Sequence, residues 1–292
     1  MSARAPFLPG ILPPAPAPPD SLCFAFRGSR LMVRRAAAPA GTEPAGEAAV
    51  PRLGELQGLG LQPARQQFLG TSGGLGCFAW ELDPEAPDPA GLEFVELRGL
   101  WGALSEAEFW LAGRAFQIMD WDRTHLFCGR CAAPMQVKSD ERAKLCPACG
   151  LLSYPRVAPA IIVAVVREDT LLLARARRFP TAMYSVIAGF VDAGESLEEC
   201  VHREVQEEVG LAVRDLSYFS SQPWPFPHSL MVAFTARHAG GEIRIDGREI
   251  VEAGWYRADG LPRIPERISV ARRLIDWFVE TRGAGAPHGV SH

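Results

Sequence analysis

Between Ser196 and Gly210 the sequence reads "SLEECVHREVQEEVG", which sets Glu204, Glu207 and Glu208 close together near its end. Ser196 followed by Glu199 is a helix-opening pair and Gly210 a helix-ending residue, so the stretch predicts a helix of about 13 residues. At ~100° per residue, Glu204 and Glu208 fall within roughly 20° of Leu197, at the border of the face that Leu197, Val201 and Val205 bury. Both also occupy the last turns, where the helix dipole disfavours negative charge. Two local rules broken at one place point to function. Hard divalent cations, Mg2+ or Mn2+, take carboxylate oxygens as ligands and neutralise them, which removes both conflicts. For a bare glutamate cluster, a solvated acidic helix face is the plain alternative.

A second constellation is made of cysteines. Cys128 and Cys131 form one C-x2-C pair and Cys146 and Cys149 another, with 14 residues between the pairs. Two such knuckles converge four thiolates on one tetrahedral Zn2+ with every position filled, so the ion is structural and activates no water. Cys23, Cys77 and Cys200 stand alone and read as buried or incidental thiols.

The elements that must position these groups are legible in part. The chain has 292 residues, 48% of them apolar, and a net charge of −4. That length predicts two or three domains, and that charge excludes a general nucleic-acid binder. The longest apolar run, Ala160 to Val166, is far short of the ~20 residues of a membrane helix, which places the protein in the cytoplasm, away from membranes. Residues 1–20 are rich in Pro and Ala and predict disorder, and the stretch from Ala36 to Pro51 is similar. "SLCFAFRGSRLMVRR", "CFAWEL" and "LEFVELRGL" predict strands, and a helix opens at Ser105, giving an α+β N-terminal accessory domain over 1–124. A zinc ribbon follows over 125–154. Beyond it, "PAIIVAVVREDTLLLARA" predicts two strands around a turn at Arg167–Asp169, with "SVIAGFV", "SLMVAFTARH", "GEIRID" and "EAGWYR" as further strands and "ISVARRLIDWFVET" as a closing helix. These form a C-terminal α/β domain over 157–283 with a frayed tail over 284–292. The sequence shows no internal repeat. The segment "SQPWPFPHSL" predicts an irregular, stiff extended loop, because proline gives no N–H to a sheet and clashes in a helix.

The spacing G-x5-E-x7-R-E-V-x-E-E-x-G-L from Gly189 to Leu211 resembles the Nudix box, the signature of hydrolases that cleave a nucleoside diphosphate linked to another moiety. "SQPWPFPHS" resembles the marker that follows this box in the NADH pyrophosphatase (NudC-type) branch, and the cysteine knuckles and the "YPR" before the first strand fit the same branch. The resemblance implies an α/β/α-sandwich domain with a mixed β-sheet. It also implies Glu204 and Glu208 as metal ligands with the carbonyl of Ala188, Glu207 as support for the metal cluster or the attacking water, and Arg203 as the group that holds the glutamates. Glu249 matches a further metal-binding glutamate, with Glu252 close enough to compete. Gln222, Pro223, Trp224, Pro225, Phe226, Pro227, His228 and Ser229 match the substrate loop, where Trp224 and Phe226 would shape a pocket for a flat ring. Phe190 matches an aromatic that stacks on nicotinamide, or is core. Tyr154, Glu141 and Ala271 match lesser substrate contacts, with Tyr154 reaching into the partner subunit's site of a homodimer and Glu141 alternatively a surface salt-bridge residue.

The implied activity is hydrolysis of NADH or NAD+ to AMP and nicotinamide mononucleotide with Mg2+ or Mn2+, and removal of NAD caps from RNA 5′ ends. RNA would lie along a strip near Arg123, Arg130 and Lys138. The alternatives from another class are a non-catalytic dinucleotide sensor and a zinc-ribbon interaction module.

Overall fold

The computed structural model describes residues 7–35, 48–178, 182–245 and 247–283, and the chain divides into two units, 1–156 and 157–292. The tail over 284–292, residues 1–6 of the Pro/Ala-rich start and residues 36–47 lie outside the described residues.

In the second unit, the alternating apolar run after the cysteines becomes β1 (Ala158–Arg167), followed by β2 (Thr170–Ala176), β3 (Ile187–Phe190), α1 (Leu197–Val209), β4 (Ala212–Trp224), β5 (Ser229–Gly240), β6 (Ile250–Arg257) and α2 (Val270–Gly283). Sheet order is β4-β5-β1-β2-β6, with β5 parallel to β1, the other neighbours antiparallel, and β3 antiparallel to the start of β1. Period-2 alternation gives β1 two buried faces. Ile161, Val163 and Val165 pack with Cys200, Val201, Val205 and Val209 of α1, while Ile162, Ala164 and Val166 pack with Leu274, Ile275 and Phe278 of α2. Each of the Val, Ile, Leu and Phe side chains among these contributes about 1.5–3 kcal/mol of burial. One mixed sheet is thereby sandwiched between two helices.

Two expectations change here. The proline segment is strand through Trp224, paired with Ser229, and the irregular part shrinks to residues 225–228. Proline is accommodated because β4 is an edge strand, where a missing N–H faces no neighbour. "GEIRID" forms no strand over 241–245: Arg244 N–H donates to Val209 O at the end of α1 instead (2.9 Å), and Asp246 is not described.

The first unit carries β7 (Phe7–Pro9), β8 (Leu22–Arg27), β9 (Arg30–Arg35), β10 (Ala48–Ala49), α3 (Leu53–Gly58), β11 (Arg65–Ser72), β12 (Leu75–Glu81), β13 (Glu93–Glu96) and α4 (Glu106–Thr124). The predicted disorder of residues 1–20 does not extend over residues 7–20. Phe7–Pro9 pairs with β11, Gly10 O accepts from Arg142 (2.6 Å), and Gly54 N–H donates to Pro19 O (2.8 Å), so hydrogen bonds to its backbone fix a segment whose Leu8, Ile11 and Leu12 stay exposed. Residues 48–51 are likewise ordered, with Cys23 N–H donating to Pro51 O (3.0 Å).

The order β11-β12-β8-β9-β13, with β12 parallel to β8 and the rest antiparallel, repeats the order and directions of β4-β5-β1-β2-β6. A helix follows β3 in the second unit and β10 in the first, and another helix follows β6 and β13. The sequence reading found no repeat because topology depends on which faces are apolar, which many residue choices satisfy.

Between α4 and Arg156 lies the cysteine module, a three-stranded sheet of β14 (Gln136–Val137), β15 (Lys144–Leu145) and β16 (Leu152–Ser153). The four sulfurs lie within 4.8 Å of one another, Cys128 to Cys149 at 3.5 Å and Cys131 to Cys146 at 3.4 Å, as four thiolates around a tetrahedral zinc must be. A buried ion pair, Lys144 Nζ to Asp122 Oδ1 at 2.6 Å, joins the module to α4. Cys146→Ser is expected to release zinc and lower the melting temperature. Full-length protein that contains no zinc, with a variant that melts like the parent, would remove the metal from the fold.

Candidate active site

The loop from β3 into α1 and the last two turns of that helix bring the acidic residues together. Ser196 and Glu199 form a reciprocal capping box, Glu199 N–H to Ser196 Oγ at 3.2 Å and Ser196 N–H to Glu199 Oε2 at 2.8 Å. Gly210 closes the helix in the left-handed region at φ 72°. These ends fix the helical phase of the glutamates.

Arg203 is the hub. Its Nε and Nη2 donate to the two oxygens of Glu195 at 2.7 and 2.9 Å, and Nη1 donates to Glu204 Oε1 at 2.8 Å and Glu207 Oε2 at 3.2 Å. Nη2 also donates to the Phe190 carbonyl at 2.9 Å. A bidentate, charge-assisted fork of this kind fixes both position and plane. The sequence reading gave Arg203 this holding role but left out Glu195, its strongest partner. The signal was present in the fixed spacing of Glu195 and Arg203. Cys200, buried beneath, donates to the same Phe190 carbonyl at 3.4 Å, and burial pushes its thiol up to about 12, which leaves it protonated.

Glu204 lies against β3 at a place that only glycine leaves open: a Cβ on Gly189 would stand 1.9 Å from the Glu204 carboxyl carbon. Burial raises the Glu204 pKa, Arg203 opposes that, and the charges of Glu207 and Glu249 push it up again. Glu208 is 9% exposed, whereas the side chain of Glu207 is 61% exposed. Glu249 and Glu252 are separated by their partners. Glu252 receives hydrogen bonds from Tyr184 and from Arg175 (3.2 Å), which lower its pKa, while Glu249 acts electrostatically on Glu204.

Hard divalent cations fit this set, because Glu204, Glu207, Glu208 and Glu249 offer oxygen donors and Gly189 leaves Glu204 room beside the strand. These oxygens are more widely spaced than the cysteine sulfurs, which are the only donor set within 4.8 Å among the described residues. Ala188 lies on β3 opposite Ile162.

The hairpin turn after β4 lies at the same end of the sheet, since Ala158 N–H, at the start of β1, donates to His228 O (2.9 Å). Trp224 and Phe226 meet edge to face at 5.0 Å and 73°. Phe190, 59% exposed, ends β3. Ser229 and Pro225 are buried, Pro223 and Pro227 exposed. Gln222 is also buried, and its amide is taken up by α2: Nε2 donates to Ile268 O at 2.8 Å and Oε1 accepts from Val270 N–H at 2.7 Å. Ala271 packs in the core beneath α2. Tyr154 and Glu141 belong to the cysteine module, where Tyr154 Oη donates to Glu141 Oε2 at 3.2 Å and Lys138 pairs with Glu141 at 3.1 Å.

A NUDIX domain model matches residues 156–278, an NADH pyrophosphatase-like rudimentary NUDIX domain matches 20–121, and an NADH pyrophosphatase zinc ribbon domain matches 123–154. The chain is 45% identical over 270 residues to the NAD-capped RNA hydrolase NudC of Chromobacterium violaceum, covering 92% of this chain and 96% of that protein. It is 44% identical over 271 residues to the protein of that name from Deinococcus radiodurans, covering 91% and 90%. The chain belongs to the NUDIX family. Its rudimentary NUDIX unit accounts for the repeated topology: α3 has only six residues, and its one glutamate, Glu55, is paired with Arg34.

Two outcomes are expected at the NUDIX helix. Gly189→Ala must displace Glu204, so hydrolytic turnover falls by about 100-fold with an unchanged far-ultraviolet spectrum; parental turnover would show that the contact is irrelevant. Glu195 is held at about 2, against an ordinary value of 4.5, first by Arg203 and then by the Asp192 N–H. A depressed carboxylate contributes stability that is complete above the unfolded pKa and lost as pH falls through the folded one. The stability gap between the parent and Glu195→Gln should therefore close between pH 4.5 and pH 2. A gap constant across that range in acid unfolding rules out this linkage.

Proposed function

We propose that the protein hydrolyses the pyrophosphate of NADH and NAD+, giving AMP and nicotinamide mononucleotide, and removes NAD caps from the 5′ ends of RNA. The observation that carries this is the match to NAD-capped RNA hydrolases along 96% of a relative's length, with Glu204, Glu207 and Glu208 of the box gathered on α1. Glu204, Glu208 and Glu249, with the Ala188 carbonyl, would hold Mg2+ or Mn2+, which polarise phosphoryl oxygens and lower the pKa of water.

The chain's own side chains do the rest. Arg203 Nη1 holds Glu204 and Glu207 at one nitrogen and offsets the repulsion between their charges. Glu249 is preferred over Glu252 because Glu252 is engaged by Tyr184 and Arg175. Trp224 and Phe226, in edge-to-face contact at the turn, would form one wall for a flat ring, and exposed Phe190 offers a second aromatic face at the same end of the sheet. Gln222 acts through the fold, by fixing the hairpin to α2. Water adds to one phosphorus in line, the P–O–P bridge opens, and the other phosphate leaves with its nucleoside.

Incubation with Mn2+ and NADH or NAD-capped RNA should yield the two mononucleotides or 5′-monophosphate RNA. Glu208→Gln should lower both rates by about two orders of magnitude or more without altering the melting temperature, since an amide is a poor ligand for a hard cation. Intact dinucleotide after incubation of the parent sinks the assignment; parental rates in the variant remove Glu208 from it.

A further inference from the structure

The strip expected to carry RNA, near Arg123, Arg130 and Lys138, is largely neutralised. Arg123 pairs with Asp120 at 2.7 Å and Lys138 with Asp140 and Glu141 at 3.3 and 3.1 Å. A different set of cations stands open in the second unit. Arg263, Arg267 and Arg273, on the approach to α2 and its first turn, are exposed and have no ion pair among the described residues. Arg272, between them in sequence, is spent on Asp276 at 2.7 Å.

Three features connect these arginines to the hydrolytic end of the sheet. Gln222, the first residue of the candidate substrate loop, bonds to Ile268 O and Val270 N–H, so Arg267 sits one residue from a carbonyl the loop itself grips. Arg273 extends over the ring of Phe219 on edge strand β4, 5.9 Å from its centroid, and Phe219 in turn meets Trp277 at 6.1 Å. Arginines alternating with partly exposed rings match a single-stranded nucleic acid, whose phosphates and base faces alternate in the same way. Arg267 and Arg273 also line a cleft of about 410 Å3 with Asp276, Val279 and Glu280. Of its two acids, Asp276 is paired with Arg272 and Glu280 lies toward the far end of the helix from the loop.

We infer that this face is the RNA exit track: with the NAD cap held at residues 222–229, the phosphates of the first nucleotides pass Arg267 and Arg273 along the N-terminal half of α2. NADH, which has no such extension, does not use it. The inference rests on the capped-RNA reading above and deepens it, because it gives RNA a contact surface separate from the pyrophosphate site.

The test uses full-length protein, NADH, and a fluorescein-labelled single-stranded RNA bearing a 5′ NAD cap. In the double variant Arg267→Ala/Arg273→Ala, kcat/KM for NADH should stay within about twofold of the parent, while kcat/KM for capped RNA falls at least about tenfold through KM. The slope of log affinity against log salt for the RNA should shrink by about 1.4, at ~0.7 per phosphate contact on a single strand. Arg267→Lys/Arg273→Lys keeps the charge and should recover most of the affinity and the slope. An equal loss on both substrates, or RNA affinity and salt slope unchanged in the alanine variant, overturns the track. If the parent cleaves neither substrate yet binds RNA through these arginines, the hydrolase reading fails and the track stands; cleavage of both with arginine-independent RNA binding does the reverse.

Discussion

One guanidinium holds the acidic centre together. Carboxylates crowded at the C-terminal end of a helix repel one another and oppose the helix dipole, and Arg203 offsets this by donating to Glu195, Glu204 and Glu207 at once. Its fifth bond, to the Phe190 carbonyl, ties the loop before α1 to the helix itself. The loop and the helix thus form one rigid piece, and the carboxylate positions are set before any ligand arrives. Lysine, with a single charged nitrogen, could not span the same four groups in one plane.

That piece is useful only because the sheet presents it beside the other parts. β1 buries both faces, one under α1 and one under α2, and its first residues neighbour β3 on one side and the start of β5 on the other. The glutamates, the aromatic turn and Phe190 therefore gather at one end of one sheet. The first unit shows the same frame without the centre. Its strands keep the order and directions, but α3 is too short to carry three acidic turns, and Glu55 is paired with Arg34. A frame can persist while its chemistry is lost, because packing constrains faces and catalysis constrains individual atoms.

Much of the second unit was legible before any coordinates. The capping box, the left-handed glycine and the apolar stripe define α1, and the alternating run before and after Arg167–Asp169 defines β1 and β2. Misreadings arose where a local rule met a tertiary partner. Proline argues against strands in general, but β4 lies at an edge, so Pro223 pairs with Leu230 all the same. "GEIRID" alternates like a strand, yet Arg244 turns to the end of α1. Phe7 to Gly10 lacked the composition of a folded segment and is held by β11 and Arg142.

By itself the sequence determined the kinds of chemistry: oxygen donors for hard cations on one helix, four sulfurs for zinc, and two rings at a proline turn, since donor type and short spacing are local properties. Only the tertiary structure decided which partners each of the competing residues meets. Glu249 rather than Glu252 acts electrostatically on Glu204, Gln222 is consumed by α2, and Glu195 rather than a helix neighbour is the main anchor of Arg203. The reason is physical: a side chain's role depends on which partners reach it within hydrogen-bond distance, and those partners come from strands and turns remote along the chain.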